Sequence, residues 1–137
     1  MITPKRMEVY YAKLEKANGS VQYGHRPVLV VSNNVSNHAS GVLMVAPLTT
    51  KRKKNLPTHV MVDLKGWKDP RCTILCEQIR TISQKQLGSK IMRFKDPEVI
   101  GKINRALTIA IGLDDRYNPM CPNWPSTQKK INTLPVV

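Results

Sequence analysis

Long apolar runs are missing from this chain. The most apolar stretches, such as Pro27–Val31 and Val42–Leu48, fall well short of the ~20 residues needed to cross a bilayer, so no membrane partner is expected. The first residues carry Lys5, Arg6 and Glu8 and hold no apolar stretch of the kind a signal peptide needs. Cysteine is scarce and odd in number: Cys72, Cys76 and Cys121 have no framework spacing. That argues against a disulfide scaffold and for a reducing, cytoplasmic setting. Aromatic residues make up only 5% of the chain, with Phe94 the sole Phe. Sheet modules that stack RNA bases on motif-placed aromatics are therefore not indicated, and neither is a helix-turn-helix or a Cys/His finger. Glycine-rich phosphate loops and a Gly-x-Ser-x-Gly elbow are absent. Acidic residues number 9 and form no cluster of the kind that holds catalytic magnesium. Cys72 and Cys76 lie four apart, and His25, His38 and His59 are scattered. Buried thiols fit that pattern better than a zinc site.

Basic charge is what the chain has in abundance. Lys and Arg number 22, giving a formal charge of +13 on 137 residues, which calls for a polyanionic partner. The length suits one domain, and a 41% hydrophobic share supplies a core that a disordered basic tail would lack. Residues 1–113 hold 19 of the basic and 7 of the acidic residues, a net of +12. Residues 114–137 hold four of the ten prolines and read as an extended appendage to a 1–113 domain. The densest run, Lys51-Arg52-Lys53-Lys54, falls between elements and reads as a loop, either a solvated one that keeps the protein soluble or an arm suited to gripping phosphates. With no standard reading module attached, an enzyme acting on nucleic acid is as well supported as a binder.

The pattern is mostly strand. Met7–Leu14 reads as a first strand. Pro27–Ser32 and Gly41–Pro47 are continuous, β-branched runs suited to burial on both faces. Asn33–Ser40 between them reads as a loop. Thr58, Val60, Val62 and Leu64 alternate with polar neighbours, as in a half-buried antiparallel strand. Cys72–Ile79 reads as one further strand, with Leu75, Glu77 and Ile79 on one face. One helix is predicted, capped by Asp96, with Pro97 at its first position and Glu98 beside its positive end. Val99, Ile103, Leu107 and Ile111 form its apolar stripe, and Gly112 stops it. Five or six short strands followed by a helix give an α+β, mostly β class: a small bent sheet or open barrel closed by a C-terminal helix.

RNA can be cut without a metal, because its 2′-hydroxyl is an internal nucleophile. The protein must take the 2′ proton, stabilise charge on the phosphate and help the 5′ oxygen leave. At this point four segments, in order, resemble one family. Gly19-Ser20-Val21-Gln22-Tyr23-Gly24-His25-Arg26-Pro27 with its following apolar strand, Val45-Ala46-Pro47-Leu48-Thr49-Thr50, Pro57-Thr58-His59-Val60 and Glu77-Gln78-Ile79-Arg80-Thr81-Ile82 are similar to the signature segments of the MazF/PemK/Kid toxins. The match runs from about Lys5 to Leu113.

The resemblance implies an SH3-like barrel of the CcdB/MazF type with a C-terminal helix, and a homodimer. It implies sequence-specific, metal-independent cleavage of single-stranded RNA to a 2′,3′-cyclic phosphate and a 5′-hydroxyl, with no cofactor. An acidic antitoxin protein would block the RNA groove. The family's catalytic pair falls on Arg26, at the scissile phosphate, and Thr49, donating to its oxygen. Glu77 is expected to be the base or to orient it, with a structural acid as its other reading. Gln22, His25, Thr50, Gln78 and Arg80, with Lys51, Arg52, Lys53 and Lys54, are expected to contact RNA. Two positions depart from the pattern. Val21 replaces the usual Glu, which throws weight on Glu77. Leu75 replaces an Arg that one branch uses, which favours the branch relying on Arg26 and Thr49. A protein-binding relative that cuts nothing and a purely electrostatic RNA binder are the competing readings.

Overall fold

The computed structural model describes residues 3–51, 53–67 and 70–114. In chain order these form β1 (Glu8–Leu14), β2 (Gly24–Val30), α1 (Asn34–Ala39), β3 (Val42–Thr49), β4 (His59–Asp63), β5 (Arg71–Leu75), β6 (Arg80–Ser83), β7 (Leu87–Arg93) and α2 (Pro97–Ala110). Short 3-10 turns occupy Cys76–Gln78 and Gln84–Gln86. The strands pair in the order β4-β5-β3-β2-β1-β7, and every pairing is antiparallel. β3 is the pivot. One edge pairs with β2, while the other pairs with β6 through Val42–Val45 and with β5 through Leu48 and Thr49. Sharing one strand between two partners curls the sheet into the half-barrel that the sequence pattern anticipates.

Curling gives the sheet two apolar faces. One buries Val9, Leu29, Ala46, Leu48 and Ile74 against Ile103, Ala106 and Leu107 of α2. The other encloses Ala12, Leu14, Val28, Val30, Leu43, Val45 and Ile82. Alternate residues of β2 and β3 thus enter different cores, so both strands read as continuous apolar runs. β4 behaves as its alternation predicts, with Val60 and Val62 buried and Met61 and Asp63 exposed. Asp96 caps α2 by accepting from the Glu98 N–H at 2.9 Å.

Several elements differ from the sequence reading. The 33–40 segment is not all loop. Asn33 accepts from the Ser36 N–H at 2.8 Å, and this cap stabilises a short helix. Its Asn37 is buried against the hydroxyl and carbonyl of Ser32. Cys72–Ile79 is not one strand. The ladder ends at Leu75, and the chain makes a 3-10 turn through Glu77 before β6 begins. Glu77 therefore does not share a strand face with Leu75 and Ile79. β2 starts earlier than expected, at Gly24, whose φ of +87° suits glycine. Ile111 caps α2 rather than extending its stripe, and it is exposed. β7 lacks a sequence signal because it is a polar edge strand with only half-buried apolar residues. Apart from Asp114, the Pro-rich 114–137 appendage lies outside the described residues, as do Cys121 and Arg52.

One buried charge ties the edge strand in. Glu8 is 5% exposed, and it pairs with the Lys90 ammonium at 2.6 Å. It also accepts from the Lys5 N–H at 2.6 Å and from the Tyr10 hydroxyl at 3.0 Å. Burial by itself would raise the carboxyl pKa. The donors from Lys90, Lys5 and Tyr10 outweigh it and hold the group below its ordinary 4.5. Tyr10 is pushed up to about 12, by burial first and by the carboxylate second. A lowered acid stabilises the fold above its unfolded pKa, and that contribution is lost as pH falls through the folded value. Glu8→Gln is expected to cost about 2 kcal/mol at pH 7 in urea unfolding. The gap to wild type should narrow as pH falls below 4.5; a gap that stays constant down to pH 3 counts against this account.

Candidate active site

The site is built on one face of the sheet where the half-barrel opens. Residues paired across antiparallel strands share a face. Thr49 on β3 pairs with Thr73 on β5, and Thr73 pairs with Met61 on β4. Val28 pairs with Pro47; the same register carried two residues further sets Arg26 opposite Thr49. His59 lies two residues from Met61 on the same face of β4, opposite Leu75. Arg26, Thr49 and His59 therefore lie on the same side of the sheet, and the turn that follows Leu75 brings Glu77 to His59.

Arg26 is half-buried and fixed by its own neighbourhood. Its Nε donates to the Tyr23 carbonyl at 2.9 Å, and its Nη1 reaches the Leu48 carbonyl at 3.5 Å. Burial lowers its pKa, with Tyr23 opposing. The guanidinium nevertheless stays charged at neutral pH. Thr49 is 5% exposed. Its Oγ1 accepts from the Lys51 N–H at 3.2 Å, which orients the hydroxyl and leaves its proton to donate.

Glu77 is held by two side chains at the start of β4, one of them from the turn just before it. Thr58 Oγ1 donates to its Oε1 at 3.1 Å, and His59 Nε2 lies 2.9 Å from its Oε2. His59 Nδ1 lies 2.7 Å from the Lys54 carbonyl. A carbonyl can only accept, so Nδ1 carries a proton. Nε2 and the carboxyl are then joined by one hydrogen bond, so the partner of Glu77 is a histidine.

His59 had no assigned role in the sequence reading. Its signal was its place on the polar side of the 58–64 alternation, but only the β4–β5 register and the 76–78 turn show that it meets Glu77. The remaining predicted residues separate into groups. Gln78 spans the Gln22 N–H and the Ser20 carbonyl at 2.8 and 3.3 Å. Arg80 donates to the carbonyls of Glu15 and Gln22 at 3.1 and 3.3 Å. Both side chains thus hold the 15–23 connection, and Gln22 takes part through its main chain. Thr50, Lys51, Lys53 and Lys54 are exposed around the site. His25 is exposed and stacks on Tyr11. Cys72 and Cys76 are buried thiols, and burial pushes Cys76 up to about 12.

Because Arg80 holds main chain rather than another side chain, its removal should loosen the 15–23 connection. Arg80→Ala is expected to raise KM for RNA about tenfold while changing kcat less than threefold, the mark of lost ground-state binding. An unchanged KM would show that the connection needs no such support.

The sequence and the fold are similar to those of known proteins. Residues 5–111 match the family model for the PemK-like, MazF-like toxin of type II toxin–antitoxin systems. The chain is 43% identical over 113 residues to Endoribonuclease EndoA of Bacillus subtilis (strain 168), covering 81% of this chain and 97% of that one. An endoribonuclease solved in complex with its cognate antitoxin, from a mycobacterial species, superposes with a TM-score of 0.66 at 32% identity, covering 81% and 97% of the two chains. MazF from Deinococcus radiodurans shares the fold, with a TM-score of 0.67 at 20% identity over 82% of this chain and 99% of that one. With the half-barrel, the opposed Arg26 and Thr49 and a family match that spans most of its length, the chain belongs to the PemK-like, MazF-like toxins of type II toxin–antitoxin systems.

Proposed function

We propose that this endoribonuclease toxin cuts single-stranded RNA at a defined sequence, without a metal, by attack of the 2′-hydroxyl on the adjacent phosphorus. The observation that supports this most directly is the placement of Arg26, Thr49 and the His59–Glu77 pair on one face. These groups meet the three demands of the reaction. The His59–Glu77 pair takes the 2′ proton. Arg26 and the Thr49 hydroxyl stabilise charge on the non-bridging oxygens. The 2′-oxygen–phosphorus bond forms as the phosphorus–5′-oxygen bond breaks, and the leaving oxygen takes a proton from Arg26 or the imidazole. A 2′,3′-cyclic phosphate and a 5′-hydroxyl result.

The +13 charge and the lysines around the site supply the electrostatic grip on the strand. An acidic antitoxin is the second polyanion suited to that surface, in keeping with the relative solved in complex with its cognate antitoxin. A homodimer acting in the cytoplasm completes the reading. The absence of Glu at Val21 is made good by Glu77.

Cleavage of a long RNA in EDTA tests this. Wild type should give discrete fragments whose 5′ ends accept phosphate from a kinase without prior phosphatase and whose 3′ ends resist phosphatase until the cyclic ester is opened. Fragments bearing 5′-phosphates, or intact RNA with retarded mobility, would sink the proposal.

A further inference from the structure

On the other side of β2 from Arg26, Tyr11 makes two aromatic contacts. Its ring lies 5.9 Å from that of His25, with planes 15° apart, and 5.9 Å from that of Trp67, with planes 30° apart. These separations fall within the range of interacting ring pairs. The group is not a buried core. Tyr11 is 36% exposed, and His25 is exposed as well. Tyr11 is itself set by the backbone. The β1–β7 register slips on both sides of Tyr10, and Gly88 passes so close that a Cβ there would lie 3.1 Å from the Tyr11 carbonyl oxygen.

Charge completes the arrangement. Lys13 is the direct cross-strand partner of His25, and adjacent partners on an antiparallel pair stand on the same face. An exposed ring backed by a second ring, with an ammonium beside it, has the chemistry to receive a nucleotide: the base stacks and the phosphate meets the cation. His25 directly precedes Arg26 at the start of β2, so the two side chains leave opposite faces of the same strand end within one residue of each other. Hydrogen-bond readout is not required, because every base has a π-face.

We propose that His25, backed by Tyr11 and flanked by Lys13, is a stacking subsite for one unpaired base of the RNA next to the scissile phosphate. This rests on the cleavage reading above and adds to it a position for a base outside the reacting step. Tyr11 is a positioning residue, since it acts through the His25 ring.

The test uses an oligonucleotide containing a mapped cut site, made uncleavable by a 2′-deoxy substitution there, with a single abasic residue walked through the flanking positions. Binding is followed by anisotropy at fixed salt. In wild type one flanking abasic position should weaken binding about tenfold, the scale of one base–aromatic stack. That penalty should vanish in His25→Ala and His25→Lys, persist in His25→Phe, and shrink in Tyr11→Leu. A penalty unchanged in His25→Ala, or His25→Lys binding as wild type does, overturns the subsite; an antitoxin segment seated there instead of RNA would give the first of these results. A wild type that cuts no RNA overturns the cleavage reading and this inference with it, whereas one that cuts while the abasic penalties ignore His25 overturns this inference alone.

Discussion

Arg26→Ala is expected to lower the single-turnover rate of RNA cleavage about 10²- to 10³-fold, the usual loss when one preorganised donor is taken from a developing anion. RNA affinity should fall less than tenfold, because the lysines around the site remain. Arg26→Lys should recover less than tenfold of the lost rate. The guanidinium is placed by a planar fork, with Nε on the Tyr23 carbonyl and Nη1 near the Leu48 carbonyl, and an ammonium cannot make both contacts and still offer a donor outward. Circular dichroism and urea unfolding should show a folded variant, since the bonds lost are partly solvent-exposed and worth about 1 kcal/mol. A variant that keeps more than a tenth of wild-type rate would remove Arg26 from the reaction.

The resemblance names Arg26 and Thr49 together, but no local pattern shows how the two meet. Their roles came from two separate segments that resemble a known signature. What joins them is the β2–β3 register, a long-range fact that no local pattern encodes. β4 was legible because one face is solvated and its alternation is clean. α2 was legible because Asp96, Pro97 and Glu98 announce its start. The 76–78 turn was not legible. Cys76 and Ile79 are apolar and fit a strand, and the turn follows from contacts made elsewhere: the Cys76 N–H bonds to the Thr58 carbonyl, Glu77 is drawn to Thr58 and His59, and Gln78 is drawn to the 20–22 main chain. β7 escaped for the opposite reason, since its sequence is polar and its strand form is imposed by pairing with β1.

The turn also explains how a cationic face can carry an acid. The two neighbours of Glu77, Thr58 and His59, are both within hydrogen-bond distance of its carboxylate. Lys54, at the end of the basic run, contributes its carbonyl to His59 rather than its ammonium to Glu77. The basic loop is thereby tied to the acid–base pair through main chain, and its ammonium groups stay available to phosphate. In the proposed reaction the +13 charge divides into a small part that reacts and a larger part that holds.

His59→Ala and Glu77→Gln should each reduce cleavage 10²- to 10⁴-fold, the range for loss of a positioned acid or base, and the double variant should be no slower than the worse single one. Groups that act as a unit are lost as a unit. His59 Nε2 and Glu77 Oε2, 2.9 Å apart, are joined by one hydrogen bond, so removing either leaves the other without its partner. Glu77→Gln keeps the shape and the Thr58 contact but can no longer be an acid or a carboxylate, which separates chemistry from packing. His59→Asn, which can still offer a donor toward Glu77, should retain more activity than His59→Ala only if orientation of the carboxyl is part of the role. Multiplicative losses in the double variant would show that His59 and Glu77 serve the fold separately and that the 2′ proton leaves by another route.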